Sequence, residues 1–178
     1  MNYFIQTERL GLRNWEESDI IPFAKMCADK IVMEHFPAVL SLKETTDLIT
    51  RFKKHLQDYG YTYYAVETLN THEFIGFTGI AMQTWESDFT PAVDIGWRLK
   101  QSAWGKGYAT EAAKACLTYA SEILKLEEII SVCTFHNIPS ENVMQKIGMQ
   151  FVKEFEHPKL IEYPKLNPCK LYIFRPKK

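Results

Sequence analysis

The chain has 178 residues, with 21 Lys and Arg against 22 Asp and Glu and a net charge of -1. That length fits one domain, residues 1–178, with a substantial core, and without a basic stripe the charge excludes general affinity for nucleic acid or membrane surfaces. Cys27, Cys116, Cys133 and Cys169 are scattered, with no C-x-x-C pair, so the sequence predicts buried, reduced thiols in a cytoplasmic protein and no metal site.

Taken in order, the start at Met1 lacks the basic region and apolar stretch of a signal peptide. No later apolar run approaches the ~18 residues of a membrane span. Residues 4–15 alternate around Leu10 and Leu12 and read as a first strand. Ser18 is the expected cap of a helix over residues 20–28, with Pro22 tolerated in its first turn. Ser41 and Glu44 form a capping box for a helix striped by Leu48, Ile49, Phe52 and Leu56, which Gly60 ends. Residues 61–68 and 73–82 form an antiparallel hairpin.

The loop at residues 83–91 combines Trp85 and Phe89 with Glu86 and Asp88. That mixture suits a cationic amine, and it equally suits a solvated loop with two aromatics tucked onto the core. Residues 93–99 then alternate Val93, Ile95, Trp97 and Leu99 with Asp94, Gly96 and Arg98, the pattern of a half-buried strand. From Tyr108 the period becomes helical through Ala112, Cys116 and Tyr119. Residues 128–134 are a short buried strand, followed by a helix that ends near Gly148. Residues 149–155 and 170–175 close the sheet as an antiparallel pair, with a proline-rich irregular loop between them.

The turn Trp104-Gly105-Lys106-Gly107-Tyr108-Ala109 sets two glycines immediately before a helix. Such a turn exposes amide donors beside the positive end of the helix, which makes an anion site. The dipole contributes ~0.3 to 1 kcal/mol, whereas each hydrogen bond to a charged acceptor contributes roughly 1.5 to 3 kcal/mol. Amides, more than Lys106, would therefore hold a phosphate. A kinase-type P-loop fails because Lys100 and Gly107 stand where a glycine and a Ser or Thr belong, and a dinucleotide fingerprint fails at Thr110.

The block Trp104 to Ala109 resembles the pyrophosphate loop of the GNAT acetyltransferases, [RQ]-x-x-G-x-[GA], with Trp104 in place of Arg or Gln. The longer WGKGYATEA and the early T-E-R-L-x-L-R resemble the Rim-type ribosomal-protein N-terminal acetyltransferases. The segment from Asn137 to Met149 resembles the block after the fifth GNAT strand. The resemblance implies an α/β fold, with a mixed, mostly antiparallel twisted sheet of six to seven strands flanked by helices. It also implies an acetyl-CoA-dependent N-acetyltransferase that needs no metal, acts on the primary amine of a small molecule or a protein N-terminus, and can be a homodimer.

Carried residue by residue, the resemblance gives the pyrophosphate to the amides of Gly105, Lys106, Gly107, Tyr108, Ala109 and Thr110. It gives pantetheine to Trp97, Leu99 and Asn137, whereas the acceptor is assigned to Trp85, Glu86, Asp88 and Phe89 from the composition of their loop alone. The oxyanion is expected to meet a backbone N–H of residues 95–97 where the strand splays at a bulge near Gly96. Met144 stands where many members carry the tyrosine that protonates the thiolate, which leaves Ser140 or a water. Asn137 and Ser140 each have a structural alternative at the start of a helix.

Asp94 is the candidate base, acting through water, and its structural alternative is an ion pair with Arg98 on the same face. His157 is a second candidate base, and Glu111 more simply complements the helix dipole. An attacking amine must be neutral. A lysine side chain costs roughly 4 to 5 kcal/mol to deprotonate at pH 7 and an α-amine about 1. The rival class is a non-catalytic acyl-CoA binding or sensing module that keeps the phosphate loop.

Overall fold

A computed structural model of the chain describes residues 2–176. The turn at residues 7–9 breaks the expected first strand into a hairpin, β1 (Tyr3–Gln6) and β2 (Leu10–Arg13), so the sheet has eight strands. Thr7 makes that turn by donating its amide to the Leu10 carbonyl at 2.9 Å. β3 (Tyr63–Thr68), β4 (Phe74–Gln83), β5 (Ala92–Leu99), β6 (Ile129–Thr134), β7 (Gln150–Phe155) and β8 (Cys169–Phe174) follow. Their order across the sheet is β1-β2-β3-β4-β5-β6-β8-β7. Every neighbouring pair is antiparallel except β5 and β6, which run parallel.

Helices cover both faces. α1 (Ile20–Cys27) and α2 (Leu42–Tyr59) pack one face through an aromatic core of Trp15, Phe23, Phe52 and Phe77. α3 (Tyr108–Glu122) and α4 (Ile138–Lys146) pack the other through Ala112, Cys116, Leu117 and Met144 against Ile80, Ile95 and Ile129. Each buried Leu, Ile or Phe contributes about 1.5 to 3 kcal/mol, so both layers are well anchored.

Local signals account for most helix ends. Ser41 and Glu44 exchange the two bonds of a capping box, and Gly60 ends α2 at φ +79°. The start of α1 differs from the expectation at Ser18, because a 3-10 turn at Glu17–Asp19 precedes it. There Asp19 accepts the Glu16 amide at 2.8 Å while Arg13 binds the same carboxylate at 2.7 and 2.9 Å, so a buried ion pair sets the helix entry.

Among the described residues the one parallel pair is the β5–β6 junction. The two strands pair only at Asp94 and Ile130, and the Ser131 hydroxyl donates to the Ile95 carbonyl at 2.9 Å. Beyond that point they part. The opening needs no bulge at Gly96, since β4 and β5 stay in unbroken register from Ala92 to Leu99. The expected bulge is thus corrected to a divergence of β5 from β6.

Candidate active site

Two groups of residues meet around β5. The first is the glycine turn before α3, where Gly105 and Gly107 adopt φ of +72° and +80°, a region that strains other residues. The amides of Tyr108, Ala109 and Thr110 open the helix with no carbonyl one turn earlier to receive them. Lys106 is exposed beside them.

Three side chains hold this turn in shape. The Trp104 indole donates to the Leu99 carbonyl at 2.8 Å, tying the turn to the end of β5. Arg9 donates to the Lys106 carbonyl at 3.1 Å and lies over the Tyr108 ring at 4.7 Å. Glu111 accepts from the Thr7 hydroxyl at 2.6 Å and from Arg9 Nε at 2.7 Å. Burial pushes the Glu111 carboxyl up, but Thr7 and Arg9 together hold it below the usual range. Glu111 is therefore an anchor between the β1–β2 turn and α3, a role beyond complementing the dipole.

Strand alternation exposes a further donor. The Ile95 carbonyl faces β6, where Ser131 takes it, so the N–H and C=O of Trp97 point the same way into the opening. Leu99 also faces it, with its carbonyl already used by Trp104.

The second group is a cavity of about 240 Å³ at the mouth of the β5–β6 divergence. Asp94, Gln83, Trp85, His157, Lys159 and Asn137 line it, with His35 and Phe36 from the α1–α2 connection and Cys133 and Cys169 from β6 and β8. Asp94 Oδ1 accepts the Tyr63 hydroxyl at 2.6 Å, and Gln83 Nε2 donates to that hydroxyl at 3.3 Å. Burial raises the Asp94 carboxyl to about 6, opposed by the Tyr63 and Gln83 hydrogen bonds.

Tyr63 reaches Asp94 because its row across the sheet continues through Gly79 to Gly96. A Cβ on Gly96 would stand 3.2 Å from the Tyr63 ring. The Asp94–Arg98 pair considered from sequence is not formed. Arg98 turns to the Cys27 thiol at 3.4 Å and lies 3.9 Å from the centre of the Phe36 ring.

Asn137 caps α4, accepting the Ser140 amide at 3.2 Å, while also lining the cavity. Ser140 sits in the first turn of the helix, and the cap is Asn137. Met144 is fully buried in the core beneath α4. Trp85 lies tilted against His157 with ring centres 4.3 Å apart, and packs against Phe89 and Phe155. Glu86 is exposed, Asp88 pairs with Lys153, and neither lines the cavity. His157 Nδ1 accepts the Lys159 amide at 3.2 Å, which leaves the proton of the neutral ring on Nε2. Burial lowers its pKa further, so His157 is set up to donate a hydrogen bond rather than to accept a proton.

Sequence reading missed Tyr63, Gln83, His35 and Phe36. No local motif marks them, because they arrive from two other strands and from the α1–α2 connection. The roles of Thr7 and Arg9 were within reach, since both belong to the T-E-R-L string. Among the described residues no group of three or more His, Cys, Asp or Glu could hold a metal ion, and no helix is long and apolar enough to cross a membrane.

Residues 9–150 match the family model described as acetyltransferase (GNAT) domain. Two Bacillus subtilis proteins, uncharacterized protein YkkB and uncharacterized N-acetyltransferase YnaD, are each 30% identical over 148 residues. The alignments cover 83% of this chain and 85% of YkkB, and 82% of this chain and 82% of YnaD. The crystal structure of a GNAT-family acetyltransferase from Bacillus anthracis superposes with a TM-score of 0.77 at 27% identity, covering 96% of this chain and 97% of that one.

Proposed function

The chain belongs to the GNAT acetyltransferase family, and from that premise we propose that it is a Rim-like N-acetyltransferase that moves the acetyl group of acetyl-CoA directly to a primary amine. The observation that carries this reading is the position of Asp94. It is a half-buried carboxylate with pKa raised to about 6, on the cavity wall where β5 and β6 part, three residues before an open backbone amide at Trp97.

The residues support a division of labour. The amides of Gly105, Lys106, Gly107, Tyr108, Ala109 and Thr110 face the pyrophosphate at the start of α3. The Trp97 and Leu99 backbone and the Asn137 side chain flank the pantetheine arm. The amine enters from the side of Trp85 and His157. Asp94, ionised above pH 6, takes the amine proton directly or through a water. For an α-amine of pKa ~7.7 to 8.0 the remaining cost of deprotonation is only about 1 kcal/mol at pH 7, so a weak base suffices.

The lone pair then attacks the acetyl carbon, and the Trp97 N–H meets the developing oxyanion. Collapse breaks the C–S bond, and the second proton, shed by the nitrogen as it becomes the amide, passes through Ser140 or a water to the thiolate. Direct attack is favoured over an acyl-cysteine route. Burial raises Cys133 to about 12 and Cys169 to about 11, so both cavity thiols stay protonated and are poor nucleophiles. With four buried, unpaired thiols, a reducing cytoplasm is the location we assign to this single catalytic domain.

A thermal-shift titration with acetyl-CoA, CoA, ATP and NADH, followed by free-thiol release from acetyl-CoA against a pooled amine panel, tests the reading. Stabilisation by the CoA species alone and thiol release with one amine class are expected. Absence of any CoA shift would overturn the assignment of the glycine turn, and CoA binding without thiol release would favour the sensing module.

A further inference from the structure

The acceptor side of the cavity is poor in acid and rich in base. Among the described residues Asp94 is the one carboxylate on its lining, and Tyr63 already occupies one of its oxygens. The acids of the loop before β5 do not help. Asp88 is paired with Lys153, and exposed Glu86 lies off the lining.

Two cations face no such opposition. Lys159 lines the cavity, and no carboxylate among the described residues forms an ion pair with it. Arg98 stands directly behind Phe36, a cavity residue, on the same face of β5 as Asp94. Its Nη1 has only the Cys27 sulfur, a weak acceptor, and its buried Nε has no partner. A half-buried guanidinium held by two aromatic faces and a thiol, with no carboxylate, keeps its positive charge unpaired.

A polyamine would add a second ammonium among these cations, with one hydrogen-bonded acid to answer two positive charges. Like charges so placed discriminate against the wrong ligand. An amine with a negative group at its other end meets the opposite pattern, with Asp94 for the attacking nitrogen and Lys159 at the rim for the anion. We infer that the acceptor is an amine that carries a carboxylate away from the attacking nitrogen, and that Lys159 is the side chain that receives it. The inference rests on the reading of this cavity as the acceptor site of an N-acetyltransferase.

The test uses three acceptors of one chain length that differ only in far-end charge: an aminoalkanoate, its primary amide and the corresponding diamine. kcat/KM is expected to fall in that order in the wild type, by roughly tenfold from first to last, since each exposed pairing is worth only a few-fold. Lys159→Glu should invert the order. Thermal shift of the CoA-saturated protein by the same compounds reads the ranking without turnover.

Preference for the diamine, a ranking unchanged in Lys159→Glu, or no shift with any of the three overturns the inference. Thiol release with any amine would leave the N-acetyltransferase reading standing in all of those cases. CoA binding with no thiol release from any amine removes that reading instead, while the shift ranking still decides the charge of the ligand.

Discussion

In the proposed reading, the two ends of β5 do different chemistry with different materials. At its C-terminal end the glycine turn works through backbone amides, in one contiguous stretch of chain braced by Trp104, Arg9 and Glu111. At its N-terminal end Asp94 works through a side chain, tuned by Tyr63 and Gln83 from two other strands and enclosed by loops from elsewhere in the chain. On those proposed roles the chain can lose its base and still bind cofactor, and the half that holds the base is the one that depends on sheet register.

Changes at the turn should break the binding half hardest. Gly107→Glu puts a side chain on a residue at φ +80° and a negative charge among the phosphate donors. CoA affinity, measured by calorimetry, is expected to fall roughly 100-fold or more. Removing the base should break the other half alone. Asp94→Asn is expected to lower kcat by about 100-fold, the low end for general-base catalysis.

The same substitution should stabilise the fold at neutral pH. The folded carboxyl is raised from 3.8 to about 6, so the native state binds the proton more tightly, and ionisation costs stability as pH rises through that window. Chemical denaturation at pH 8 should show a gain of up to about 3 kcal/mol in the variant that vanishes below pH 4.

Smaller effects sharpen the boundary between the two halves. Tyr63→Phe removes a hydrogen bond that favours the ionised Asp94, so the acid limb of the pH–rate profile should move upward from about 6, with a several-fold loss of rate at pH 6.5. A limb that moves down or stays in place would remove Tyr63 from the tuning of Asp94. Glu111→Ala cuts the brace to Thr7 and Arg9. The KM for acetyl-CoA should rise a few-fold with kcat little changed. Because Arg9 is half exposed, the stability loss should stay near 1 kcal/mol.

What could be read from the chain follows the same division. The strand, the turn and α3 were legible because period, glycines and amide donors all lie between residues 93 and 122, and Ser41, Glu44 and Gly60 mark the ends of α2 directly. The partner of Asp94 was not legible. Tyr63 is 31 residues away and reaches Asp94 only through the alignment of Tyr63, Gly79 and Gly96 across three strands. Spacing along β5 offered Arg98 as an alternative partner, but tertiary packing turned its guanidinium toward Phe36 and Cys27 instead. The acidic loop after β4 left two readings open, since composition does not show that Lys153, brought in on β7, pairs with Asp88.

The most direct test of this division is a single comparison on Asp94→Asn, with CoA affinity by calorimetry and amine-dependent thiol release from acetyl-CoA measured on the same preparation. The expected result is an affinity within about twofold of wild type beside a rate about 100-fold lower. A rate close to wild type would contradict the role of Asp94 as base, and a parallel collapse of affinity and rate would contradict the separation of the two ends of β5.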